Sequence, residues 1–297
     1  MIKVDRSQVP KPAALGKRDR AGETETERAI KHYTSPTFDG MTNFKFKIYS
    51  DPEVKEALIK LFKGKCAYCE SSVLHVYSGD VEHYRPKGEI QEAIPKTTPG
   101  YYWLAADWDN LLFSCRNCNQ KLTHSMHGVD TKKTMGKMNQ FPLSDITKHV
   151  RNHDNVNGIA DEEPYRILLN PCIDNPEDHL EYGPEGVIRP KRDAAGKESI
   201  MAKKSIDVYV LQRMYLVQAR EKVLIDIQAQ IQRVKEATTK FNELINDSDT
   251  ALRFYFEKIL KRELERLKKF LNPEEQYVGM ARQIIGEFLK INYNISI

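Results

Sequence analysis

Four cysteines in two tight pairs, Cys66-Ala-Tyr-Cys69 and Cys115-Arg-Asn-Cys118, bracket a segment that carries Glu82, His83 and Asn110. Asn119 follows the last cysteine directly. A tetrahedral zinc site needs four thiolates or imidazoles converging at about 2.3 Å for sulfur, and each CxxC turn can present two sulfurs on one side. Cys66, Cys69, Cys115 and Cys118 supply four ligands and leave no open position, so the expected zinc is structural. A redox pair or an iron–sulfur cluster is the other use of this spacing. Cys172 stands alone and reads as a partly buried free thiol.

The polar residues between the pairs suit phosphodiester hydrolysis. That reaction needs a base for water, a divalent cation to stabilise charge on the phosphate, and ligands that place both. Glu82 and His83 put an acid beside an imidazole. Neighbours on a strand face opposite ways, so a bend near Arg85-Pro86 is needed to converge them. Singly, each residue is weak evidence, since a lone histidine is usually a structural hydrogen-bonding group and an asparagine after a CxxC is often a cap. Their order carries the case. Arg85, Lys87, Arg116 and Lys121 surround the proposed site and suit phosphate oxygens, with solvated surface charge as the plain alternative. His124 and His127 read as ordinary polar residues sooner than as extra ligands. Tyr101, Tyr102, Trp103 and Trp108 read as packing sooner than as base-stacking platforms.

The stretch "CAYCE…DVEHYRP…WDNLLFSCRNCNQK" resembles the cysteine-clamped form of the HNH nuclease motif over about Gly64–Lys121. The resemblance implies a ββα-metal unit, two strands and a helix around one divalent ion, Mg²⁺ or Mn²⁺. It implies His83 as the general base, Glu82 and Asn119 as ligands of that ion, and Asn110 as the residue that fixes the loop and orients the histidine backbone. Many members carry Asp where this chain has Glu82, which leaves Asp80 as a rival acidic ligand. Further along, "FPL", "LLNPCIDNPEDHLEY" and "IDVYVLQRMYLVQAR" resemble the HNH proteins of the PtuB type, found in Septu and some retron anti-phage systems. This second resemblance implies a DNA-cleaving defence effector working beside a PtuA-like ATPase. RNA is the alternative substrate, and a non-catalytic zinc module docking the ATPase is the alternative role.

The rest of the chain must position these residues. At 297 residues it can bury a substantial core, and 40% hydrophobic with 30% charged residues describes a globular protein. A net charge of +4 is compatible with a nucleic-acid partner without requiring one. No run approaches the roughly 18 apolar residues of a membrane span, and Met-Ile-Lys-Val-Asp-Arg lacks a signal-peptide core. The expectation is a cytoplasmic protein with no membrane contact.

The fold class expected is α+β: a zinc-clamped ββα-metal HNH core, an N-terminal arm and a predominantly α-helical C-terminal region. Residues 1–50 form the arm, around a short helix near Glu23–His32. Residues 51–145 form the nuclease domain, and residues 146–297 hold a hairpin-containing linker and a helical domain. Ser50-Asp51-Pro52-Glu53 starts a helix that buries Val54, Leu58, Leu61 and Phe62 and stops at Gly64. Val73–Tyr77, Asp80–Tyr84 and Leu111–Phe113 read as strands, and a helix is expected to begin at Asn119, with an irregular excursion through Gly128 and Gly136. Gly183-Pro-Glu-Gly186 marks a hairpin turn. Ile206, Val210, Met214 and Val217 recur at helical steps. A second helix is expected over about 249–271 and a third from Asn272-Pro273 to Leu289. Arg213 and Arg220 share a helical face and read as solvated.

Overall fold

The structure is a computed structural model that describes residues 1–94, 98–155, 158–245 and 248–296. Its first regular element is helix α1, Glu25–Thr34, opened by a capping box in which Thr24 and Glu27 satisfy each other's backbone N–H groups. Around it the N-terminal segment runs in short turns, yet Met1, Val9, Ala14 and Leu15 are buried in the main hydrophobic core. The Glu25 carboxylate accepts from the backbone N–H groups of Lys47 and Ile48, which folds the end of the segment back onto α1.

Helix α2, Pro52–Leu61, begins as its sequence dictates, with the Asp51 side chain accepting from Glu53 N and proline in the first turn. Its Val54, Leu58 and Leu61 are buried. The chain reverses at Gly64, whose φ of +70° suits glycine, and enters the first cysteine pair. Strand β1, Asp80–His83, lies antiparallel to β2, Leu111–Ser114, with Asp80 opposite Ser114 and His83 opposite Leu111. Gly79 precedes β1 at φ +73°, and a Cβ there would meet the Phe113 ring at 2.1 Å. Only glycine lets the turn lie this close to β2. Directly after β2 comes the one-turn helix α3, Arg116–Asn119.

Three local expectations fail here. Val73–Tyr77 is a turn, with the N–H groups of Val76 and Tyr77 both donating to Val73 O. Among the described residues no strand pairs with it, and Leu74 and Val76 are exposed. Asn119 ends a helix and does not begin one. The supposed excursion is a hairpin of β3, Leu122–Met126, and β4, Val129–Met135. Paired Thr123 and Thr134, whose hydroxyls lie 2.9 Å apart, and the turn glycine Gly128 account for it.

Helix α4 spans Gly158–Glu162. The expected second hairpin follows as β5, Leu180–Tyr182, and β6, Ile188–Pro190. Helix α5, Ile200–Val208, and helix α6, Met214–Glu243, are separate elements and not one periodic run. The chain breaks between them, where Val210 takes φ +53°. Helix α7, Thr250–Lys269, is close to its expected span, whereas helix α8, Val278–Tyr293, starts later than the Asn272-Pro273 signal because residues 272–277 are spent on turns. The core joins α2, the two cysteine turns, β2, α6 and α8 into one cluster. Among the described residues no helix is long and apolar enough to cross a membrane.

One buried carboxylate ties the segments together. Glu162, fully buried, pairs with Arg85 Nε at 2.8 Å and accepts from Tyr101 Oη at 2.6 Å and Val150 N at 2.9 Å. Removing one partner of a buried pair strands the other charge, at a cost of about 3–5 kcal/mol. Glu162→Ala is therefore expected to lower unfolding free energy by about that amount in urea titrations, and a change below about 1 kcal/mol would contradict the role assigned to this carboxylate.

Candidate active site

The two cysteine turns meet at the base of the β1–β2 pair. Cys66, Cys69, Cys115 and Cys118 are all buried, with their sulfurs within 4.8 Å of one another. Cys69 Sγ and Cys115 Sγ lie 3.8 Å apart, which is the edge of a tetrahedron with metal–sulfur bonds of about 2.3 Å. The set fits zinc. Backbone bonds hold the geometry: Ala67 N donates to Phe113 O at 2.8 Å, and the N–H groups of Cys118 and Asn119 both donate to Cys115 O at 3.1 Å. Arg213, expected in solvent, is buried, and its guanidinium lies 3.5 Å from Cys118 Sγ and 3.8 Å from Cys115 Sγ. Arg220 is likewise buried, donating to Leu211 O and lying over Tyr182 and Tyr277. The sequence could not show either, because the chain break before α6 turns that face inward.

Above the thiols, β1 and α3 border an open cleft of about 520 Å³ lined by Tyr49, Asp80, Glu82, His83, Lys87 and Asn119 among others. Asp80 and Glu82 alternate onto one face of β1, and His83 joins them at the strand's end. Asn119 Nδ2 donates to Asp80 Oδ2 at 3.0 Å, leaving its amide oxygen without a donor among the described residues. Tyr77 Oη donates to the other Asp80 oxygen. Glu82 is buried, and Lys137 Nζ stands 2.6 Å from its Oε1. That ion pair engages Oε1 from the inner side, while the carboxylate itself lines the cleft. A carboxylate lining the cleft beside a second carboxylate and an amide oxygen is a donor set that suits a hard divalent cation. Burial pushes the Glu82 carboxyl up, against the pull of Lys137.

His83 is held by its far nitrogen. Nε2 lies 3.0 Å from Ala105 O, and because a carbonyl only accepts, the proton sits on Nε2 and Nδ1 keeps its lone pair. Lys87 Nζ is 3.4 Å from that Nδ1 and 4.3 Å above the Tyr49 ring. Burial, then Lys87, hold the imidazole well below its ordinary 6.5, with the Ala105 carbonyl opposing them. Asn110 does not touch the cleft. Its Oδ1 accepts from Arg85 N at 2.7 Å, and its Nδ2 donates to Arg85 O and Leu104 O. It thus ties the backbone after His83 to the loop whose next carbonyl, at Ala105, holds the ring.

The cationic residues divide. Lys87 borders the cleft. Arg85 does not: it is buried, bound to Glu162 and to Glu163 at 2.7 Å, and lies 5.0 Å over the Phe141 ring, so it has no reach to a phosphate. Arg116 is exposed on α3 and donates to Gln120, while Lys121 is exposed beyond it. His124 is buried on β3, and His127 stands 3.6 Å from Glu185. Cys172 is half-buried. Sequence reasoning missed Lys137 and Tyr49, neither of which lies near a recognisable motif.

Fold and site together define a mixed α+β protein in which small antiparallel hairpins and helices enclose a buried four-cysteine cluster able to hold zinc. No family model matches the chain. The Septu protein PtuB of Bacillus mycoides (strain KBAB4) is 35% identical to it over 297 positions, covering 97% of this chain and 91% of the relative. The chain belongs to the PtuB family. A second PtuB, from Bacillus thuringiensis, is 28% identical over 45% of this chain and 34% of its own length. The Septu protein PtuA of Bacillus mycoides (strain KBAB4) is 25% identical over 80% of this chain, a match that occupies 27% of that relative.

The thiol geometry sets an expectation for elemental analysis of the purified protein. It should carry about one zinc per chain, and Cys66→Ser with Cys118→Ser should lose both the metal and cooperative unfolding. A metal-free protein with an undiminished melting transition would contradict the assignment.

Proposed function

We propose that the chain is a metal-dependent HNH endonuclease, the nuclease effector of a prokaryotic anti-phage defence system, acting on DNA beside a PtuA-like ATPase. The observation that carries this reading is the cleft itself. It has His83, whose Nδ1 faces Lys87, beside the Glu82 carboxylate and the Asp80–Asn119 pair. In this reading residues 51–145 are the nuclease unit, and 146–297 support it and meet the partner.

His83, fixed through Nε2, takes a proton from water at Nδ1. Its low basicity keeps the ring neutral and ready to accept at neutral pH. Glu82 and Asn119 hold the divalent ion, with Asp80 orienting Asn119 and available as a further ligand. When bound, Mg²⁺ or Mn²⁺ supplies charge stabilisation at the phosphate. Asn110 positions the loop that fixes His83. Lys87 borders the same cleft and can meet a phosphate oxygen, and Arg116 and Lys121 are exposed cations near Asn119 in sequence that suit a polyanion. The PtuA relative holds a segment similar to this chain in about a quarter of its length. That likeness supports a partner of the PtuA type.

With plasmid DNA, the partner ATPase and Mg²⁺, cleavage is expected from the unaltered chain. From His83→Ala none is expected, a loss of at least about 10²-fold, at unchanged zinc content and melting temperature. Wild-type cleavage by that variant would remove His83 as the base, and cleavage of total RNA with intact plasmid would move the substrate to RNA. With the His83 imidazole held low, the acid limb of kcat/KM should fall below pH 6.5. Activity would then be retained as pH drops from 8 to 6.5 and lost beneath it. A limb above pH 6.5 would contradict the assigned environment.

A further inference from the structure

The β3–β4 hairpin brings one more residue to the cleft from behind. At its end Gly136 takes φ +148°, and a Cβ there would meet Gln120 O at 1.9 Å. The chain therefore lies directly on the end of α3, where Lys137 N donates to Cys118 O at 3.0 Å and Met138 N to Asn119 O at 2.6 Å. This sends the Lys137 side chain inward, where it is fully buried. Fully buried lysines are rare, and one is kept only when paired. Lys137 Nζ stands 2.6 Å from Glu82 Oε1 and donates to His83 O at 2.8 Å. It does not border the cleft, whereas Glu82 does. Glu82 is thus interposed between the Lys137 side chain on its inner side and the space where a divalent ion would enter.

Resting on the nuclease reading above, we propose that Lys137 is a positioning residue that serves as the internal counter-cation of Glu82. It holds the carboxylate in place for the cleft ion and keeps that ion weakly bound. A carboxylate shared between an ammonium and a divalent cation attracts each less than it would alone, and the two cations repel across it. With the cleft empty, the ammonium still balances Glu82, so the β1 end and the His83 backbone keep their arrangement. The site then fills and empties with free divalent ion without rearranging.

The sign of the effect separates this role from a merely structural one. Titration calorimetry with Mn²⁺ on the zinc-loaded full-length chain gives the cleft affinity without reference to cleavage. Lys137→Met is expected to bind Mn²⁺ more tightly, on the order of tenfold or more, and its plasmid cleavage should half-saturate at correspondingly lower Mn²⁺, with a lower kcat as the His83 carbonyl loses its donor. Lys137→Gln, which keeps a donor for that carbonyl without the charge, should fold even where the methionine variant does not, and should show the same tightening. A structural role predicts lower stability with the wild-type Mn²⁺ affinity in whatever protein folds. Unchanged or weaker Mn²⁺ binding in either folded variant overturns the proposal. If the unaltered chain itself bound no Mn²⁺, the nuclease reading and not the role of Lys137 would be what fails.

Discussion

The convergence of four thiols is the constraint on which the rest of the structure depends. Short hairpins bury little apolar surface and are marginal by themselves. Here the β1–β2 pair is anchored at its base, where Cys66 and Cys69 in the turn after α2 meet Cys115 and Cys118 at the start of α3. The same turn holds Tyr68, whose ring stacks on Tyr209 with centroids 3.8 Å apart. Arg213 places its guanidinium against two of the sulfurs. Both contacts come from the short break between α5 and α6. The thiol cluster thus joins the small β unit to the helical half, and a zinc tetrathiolate there would find its compensating charge already in position.

Resting on that frame, the cleft is built largely from buried charge. Glu82, His83, Arg85, Lys137 and Glu162 are all buried. Such groups are tolerated only when each finds a partner, and they fall into two sets. Arg85 and Glu162, with Tyr101, lock the loop that follows His83, whereas Glu82 and Lys137 stand at the edge of open space. The first set is satisfied. The second is paired too, but its carboxylate also lines the open cleft beside His83, which is where the proposed reading puts the chemistry.

Residues whose chemistry is local were legible in the sequence. The CxxC pairs announced the cluster, the Asp51-Pro52 start and Gly64 stop bounded α2, and Gly183–Gly186 marked the second hairpin. Positions set by tertiary contact were not legible. Arg85 looked like a phosphate ligand, because nothing local reveals Glu162 from 77 residues away. Arg213 and Arg220 looked solvated, because the periodicity of 206–217 hides the break at Val210. Lys137 was invisible, because its position depends on a hairpin that read as irregular chain and on a glycine packed against α3. The strand expected at Val73–Tyr77 had suitable residues and no partner, which shows how little β-propensity decides without a neighbouring edge.

In the proposed reading the thiol cluster holds a cleft in which Glu82 and Asn119 take a divalent ion beside His83. Anomalous diffraction from crystals of the zinc-loaded protein soaked in Mn²⁺, recorded at the zinc and manganese edges, tests it most directly. The expected result is one zinc peak among the four sulfurs and one manganese peak in the cleft, within about 2.3 Å of a Glu82 or Asp80 oxygen and of the Asn119 amide oxygen. A zinc peak with no manganese in the cleft would contradict it, as would manganese bound only at residues remote from His83.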